Sequence, residues 1–168
     1  MSASILVGFA TRTGSTQEVA ETIAATLREG GLAVDCRPLK EVQTLERYTA
    51  VVLGAPLYMF RWHKDAKRFL SRHHQALLER PVAVFALGPF HDDAKERQDA
   101  RAQLDKELLK FPWFGPVTIE IFGGKFDPTT LSFPYNLIPA LKQMPPSDVR
   151  DWAAIRAWAS DLAAKLAP

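Results

Sequence analysis

The sequence predicts an α/β fold, a doubly wound five-stranded parallel sheet in the order 2-1-3-4-5 with helices on both faces. Two observations predict it. Short apolar runs alternate along the chain with longer segments of helical period, the pattern that right-handed crossovers wind into a parallel sheet. Three of the runs are apolar at nearly every position, as strands covered on both faces must be. The 168 residues, 1–168, are expected to form one domain, long enough to bury a core without a disulfide or a structural metal.

The first strand is Ile5-Leu6-Val7-Gly8-Phe9. Val19, Ile23 and Leu27 then recur at i, i+4 and i+8, and Gly30-Gly31 supplies a helix stop. Val34-Asp35-Cys36-Arg37 alternates apolar with polar, which suits an edge strand with one wetter face. The segment Pro38–Arg47 is too short and mixed to assign a helix. Ala50-Val51-Val52-Leu53-Gly54 reads as the third strand, and residues 62–79 as a helix with Ala66, Phe69, Leu70, His73 and Leu77 along one side, ended by Pro81. Val82–Leu87 is the fourth strand. A charged helix over 93–109 carries Leu104, Leu108 and Leu109 near its end, with Asp92 or Asp93 as its cap. Val117–Phe122 is the fifth strand. The last helix, capped by Ser147 or Asp148, turns Trp152, Ile155, Ala159, Leu162 and Leu166 inward. Residues 123–146 contain five prolines and form an irregular insertion too long to be a mere connection.

Composition excludes several classes of function. A net charge of +2 with no concentrated basic run argues against a nucleic-acid partner. The single cysteine, Cys36, rules out an internal disulfide, and His63, His73, His74 and His91 lack metal-ligand spacing, so a reducing cytoplasmic setting without a metal is expected. Neither a signal peptide nor a spanning helix is expected, and peripheral contact with a membrane surface is left open.

The chemistry starts where the first strand meets the first helix, at Thr11-Arg12-Thr13-Gly14-Ser15-Thr16. A helix N-terminus offers free N–H groups and a positive partial charge, so an anion there is held by several donors together. Gly14 lets the backbone curl close to it, and the hydroxyls of Thr11, Thr13, Ser15 and Thr16 add donors without bulk. The loop lacks both Gly-x-Gly-x-x-Gly and Gly-Lys-Ser/Thr, which favours a monophosphate over a dinucleotide or a triphosphate. Any one of these residues, taken singly, is equally a helix cap.

Thr-x-Thr-Gly-x-Thr after the first strand, with this order of elements, resembles the flavodoxin family, whose corresponding loop holds the phosphate of FMN. In a doubly wound sheet the ligand lies beyond the carboxyl ends of the strands where their order reverses. The resemblance therefore sets Ala55, Pro56, Leu57, Tyr58, Met59 and Phe60 against the flavin ring, with Tyr58 or Trp62 stacking on it. Trp62 also fits as a core residue sealing the next helix. Gly88, Pro89, Phe90 and His91 resemble the family's third flavin loop, where backbone N–H groups meet the pyrimidine edge and Phe90 covers the ring. A lone loop histidine such as His91 is also an ordinary surface residue.

A slightly basic chain departs from the acidic electron shuttles of the family. A nearer resemblance is to the menaquinone-dependent protoporphyrinogen dehydrogenase group of flavodoxin-like proteins. It rests on Gly123-Gly124-Lys125-Phe126-Asp127, the Pro-rich stretch 128–146 and Ser147-Asp148-Val149-Arg150-Asp151-Trp152, which follow in the group's order. This resemblance implies an FMN-dependent oxidoreductase that passes electrons from a bulky reduced substrate to a quinone-type acceptor. Arg61, His63 and Lys64 either attract the substrate's carboxylates or are solvated charges at a helix start. No acid or base is required of the protein, because the flavin carries the redox chemistry. Inside the insertion, Phe133, Tyr135, Leu137 and Ile138 either pack on the body or meet substrate or membrane. Two other functions fit the same fold: an electron carrier with no substrate of its own, and an interaction module without FMN.

Overall fold

The computed structural model describes residues 4–58, 61–89, 91, 93–130, 133 and 135–166. Strand β1 runs Ser4–Phe9, helix α1 Ser15–Glu29 and strand β2 Ala33–Pro38. One 3-10 turn, Leu39–Glu41, occupies part of the segment left unassigned from sequence. Strand β3 (Ala50–Tyr58) turns back into the two-residue strand β4 (Arg61–Trp62). Helices α2 (Lys64–Arg72) and α3 (His74–Leu78) lead to strand β5 (Val82–Leu87), helix α4 (Ala94–Leu108) and strand β6 (Thr118–Phe122). The insertion holds strand β7 (Lys125–Phe126), helix α5 (Pro139–Lys142) and strand β8 (Ser147–Asp148), and helix α6 spans Trp152–Lys165.

The main sheet runs β2-β1-β3-β5-β6, all parallel. Setting aside the short hairpin strand β4, this is the expected order 2-1-3-4-5. Alternation along the strands splits the core in two. Ile5, Val7 and Phe9 face one side with Val19, Ile23 and Leu27 of α1 and Ile155, Ala159 and Leu162 of α6. Leu6, Val51, Leu53, Val84 and Ala86 face the other, against Ala66, Phe69 and Leu70 of α2 and Leu104 of α4. At about 25 cal/mol per Å2, each such buried aliphatic side chain contributes about 1.5–3 kcal/mol of transfer free energy.

Two expectations need correction. The helix over 62–79 is two helices meeting at His73. His73 is buried, and burial, reinforced by Arg72 against the opposing pull of the Val42 backbone, lowers its pKa so that it is neutral. The last helix is capped by Asp151, whose carboxylate accepts from the Ala154 N–H at 3.0 Å. Ser147 and Asp148 instead pair with β7, because an antiparallel ladder satisfies more of their backbone than a cap would. Of the two readings left open for the insertion, packing on the body does not hold for Phe133 and Leu137, which are 75% and 64% exposed. Asp93 does cap α4, accepting from the Lys95 N–H at 2.8 Å. Among the described residues no helix is long and apolar enough to cross a membrane.

Candidate functional site

Helix α1 begins differently from α4 and α6. Its cap residue is Gly14, at φ 95°, and no side chain accepts from its first N–H groups. That φ lies in the left-handed region, where a side chain costs about 1–2 kcal/mol. A Cβ there would meet nothing within 4 Å, so the glycine is required by the turn and not by crowding. Thr11 holds the turn closed, its Oγ1 accepting from the Gly14 N–H at 2.8 Å. Thr16, in the first turn of α1, is fully buried, and its Oγ1 has no hydrogen-bond partner. A buried hydroxyl without a partner costs about 1–3 kcal/mol.

A cleft at the carboxyl edge of the sheet is lined by Arg12, Thr13, Ser15, Pro56, Leu57, Leu87, Gly124 and Lys125. The cleft is small and partly open to solvent. The loop after β1 and the loop after β3 thus converge as expected. The structure adds Leu87, Gly124 and Lys125, which the sequence reading left out of the site. Gly-Gly-Lys directly after the last strand of the sheet, at its carboxyl end, was the available signal.

The second loop is fixed from beneath. Trp62 is buried, and its indole Nε1–H donates to the Ala55 carbonyl at 3.2 Å. Of its two expected places, stacking on a ligand or sealing the core, Trp62 takes the core. The Trp62 backbone N–H donates to Glu107 at 3.4 Å, and the His63 N–H to the Pro56 carbonyl at 3.2 Å. Glu107 itself is buried on α4 and charged. Burial opposes its ionisation, but hydrogen bonds from Lys67 and Lys110 hold its carboxyl below the usual range.

His63 is a helix cap, its Nδ1 accepting from the Asp65 N–H at 3.1 Å. Burial, reinforced by Arg12, Lys64 and Lys40 against the opposing pull of Asp65, lowers its pKa, so it attracts no carboxylate as a cation. Arg61 and Lys64 are exposed, as a rim requires.

At the third loop, the Gly88 N–H donates to Phe122 at 3.2 Å, and Pro89 accepts from the Gly124 N–H at 2.7 Å. His91 is exposed, with Nδ1 3.1 Å from Glu96 Oε1, and it does not line the cleft. Met59, Phe60 and Phe90 lie outside the described residues, as does the side chain of Tyr58.

The base of the insertion is built into this wall. Gly124 accepts from the Val149 N–H at 3.0 Å, and a Cβ on Gly123 would fall on the Val149 carbonyl, so only glycine admits the returning strand.

Comparison with known proteins agrees with this geometry. Residues 6–138 match the Flavodoxin domain family. A stretch of 84 residues, 49% of the chain, is 30% identical to protoporphyrinogen IX dehydrogenase [quinone] of Escherichia coli K12, and it spans 46% of that relative's length. Oxidised flavodoxin 1 of Bacillus cereus superposes with a TM-score of 0.61 at 18% identity, over 98% of this chain and 100% of that one. The Flv1 flavodiiron core of Synechocystis gives 0.61 at 15% identity over 98% of this chain and 36% of that one. With residues 6–138, most of its length, matched by the family, the chain belongs to the flavodoxin domain family.

Proposed function

We propose that the protein is an FMN-dependent oxidoreductase. The observation that carries this reading is the buried, unpartnered Thr16 hydroxyl in the uncapped first turn of α1. A phosphate there would accept from Thr16, from the free N–H groups and from the hydroxyls of Thr13 and Ser15. The bound flavin would supply the capacity to take up and release hydride or electrons. The protein's part is to hold and shield it: Pro56 and Leu57 on one side of the cleft, Leu87 and the Gly88–His91 loop beyond it, with Tyr58, Met59, Phe60 and Phe90 at the ring.

For the reaction, we infer oxidation of a protoporphyrinogen-type substrate with a quinone-type acceptor. The E. coli relative is named for that pair, and the chain spans about half its length. The exposed Phe133 and Leu137 suit a bulky apolar partner, and the exposed Arg61 and Lys64 an acidic substrate.

The absorbance spectrum of the purified protein, followed by titration of stripped protein with FMN, tests the cofactor. Oxidised flavin bands and saturable binding are expected, and a colourless protein that takes up no FMN would sink the proposal. Turnover of protoporphyrinogen with a quinone then tests the reaction. Bound FMN with no turnover, together with electron delivery to a protein acceptor, would make it a carrier instead.

A further inference from the structure

The positive charge around the first turn of α1 comes from three separate segments. Arg12 and Lys125 line the cleft with Thr13 and Ser15. Arg150, whose side chain is only 4% exposed, reaches the same turn from behind and donates from Nη1 to the Ser15 carbonyl at 3.4 Å. A buried cation at the positive end of a helix is unfavourable unless its charge is engaged elsewhere. Arg150 engages it with Asp148 through two bonds of 2.9 and 2.8 Å and with Glu18 at 3.5 Å, while its guanidinium lies 4.8 Å over the Trp152 ring.

The register of the insertion gives this arrangement its meaning. Asp148 stands directly opposite Lys125 in the β7–β8 ladder, so their side chains share a face and would form a natural cross-strand ion pair. Arg150 holds that carboxylate in a fork, so although Lys125 still lowers the pKa of Asp148 and of Asp127 through its charge, both oxygens of Asp148 are taken by Arg150, and Lys125 is among the residues that line the cleft.

We propose that Lys125 is an additional phosphate-binding residue supplied by the insertion, and that Arg150 is the positioning residue that keeps Asp148 away from it. The inference rests on the FMN reading above. It makes the insertion a fourth wall of the phosphate site. It also makes Lys125 a determinant of specificity, since its charge favours the phosphate dianion of FMN over the neutral hydroxyl of riboflavin.

The test is paired titration of stripped protein with FMN and with riboflavin, read by quenching of flavin fluorescence. Lys125→Met should weaken FMN about tenfold and leave riboflavin unchanged, with Lys125→Arg restoring most of the loss. Arg150→Gln should also weaken FMN selectively, and adding Asp148→Asn to it should recover affinity by freeing Lys125. FMN binding unaltered in Lys125→Met, or FMN and riboflavin weakened equally, overturns the role of Lys125. No recovery in the double variant overturns the role of Arg150. If wild-type protein binds neither flavin, the FMN reading itself fails, a result distinguishable from the others.

Discussion

Helices α1 and α6 lie side by side on the same face of the sheet, and their N-termini are finished in opposite ways. Asp151 caps α6 with its own carboxylate, whereas α1 opens on Gly14 with no side-chain cap and a buried hydroxyl without an acceptor. Asp93 caps α4 as Asp151 caps α6. The contrast separates a helix end that is complete within the fold from one shaped to be completed by something else. Small polar residues at both ends look alike in a list. Whether their hydrogen bonds close internally is what distinguishes them.

Four substitutions sharpen the contrast, taken from the largest expected effect to the smallest. Gly14→Val forces a β-branched residue into the left-handed region and spoils several N–H donors together. FMN affinity should fall on the order of a hundredfold while the far-ultraviolet circular dichroism stays native. Thr16→Val removes the unpartnered hydroxyl. We expect FMN to bind about tenfold more weakly and the flavin-free protein to melt at the same temperature or higher. Lower thermal stability with FMN affinity intact would show that Thr16 serves the fold alone.

Asp151→Ala should do the reverse, costing about 1 kcal/mol of stability, or roughly 2–4 °C in Tm, with FMN affinity unchanged. A loss of FMN affinity there would erase the distinction between the two ends. The smallest effect is on acid stability. Hydrogen bonds from Arg150 depress the Asp148 pKa, so its contribution is present above the unfolded carboxylate value of about 4 and is lost as pH falls through the folded value. Asp148→Asn should therefore lower stability slightly at neutral pH, where the contribution is present, and leave the acid end below the folded value nearly unchanged, so that thermal melts show a smaller fall in Tm on acidification than in the wild type.

Legibility in the sequence followed how local the determining physics is. The five main strands and the inward faces of α1 and α6 were readable because alternation and helical period are properties of neighbouring residues. The loop after β1 was readable because backbone donors, glycine and hydroxyls act within six positions. Trp62 could not be assigned to core or cleft, since its place depends on Ala55 and on Glu107, 45 residues away. The true cap of α6 was missed by a few residues because Ser147 and Asp148 are claimed by β7, a partner that no local pattern reveals. Lys125 and Arg150 were quoted for their order along the chain. Their arrangement around α1 depends on contacts that cross the whole fold, Arg150 to Ser15 among them.

The clasp formed by β7, β8, Gly123 and Val149 also divides labour along the chain. It joins the two ends of the 127–146 segment, so that Lys125 and Gly124 line the cleft while Phe133 and Leu137 are exposed to solvent. Doubling the length of a segment closed in this way costs only about 0.6 kcal/mol of closure entropy. Length changes between the two strands of the clasp should therefore be tolerated with little loss of stability.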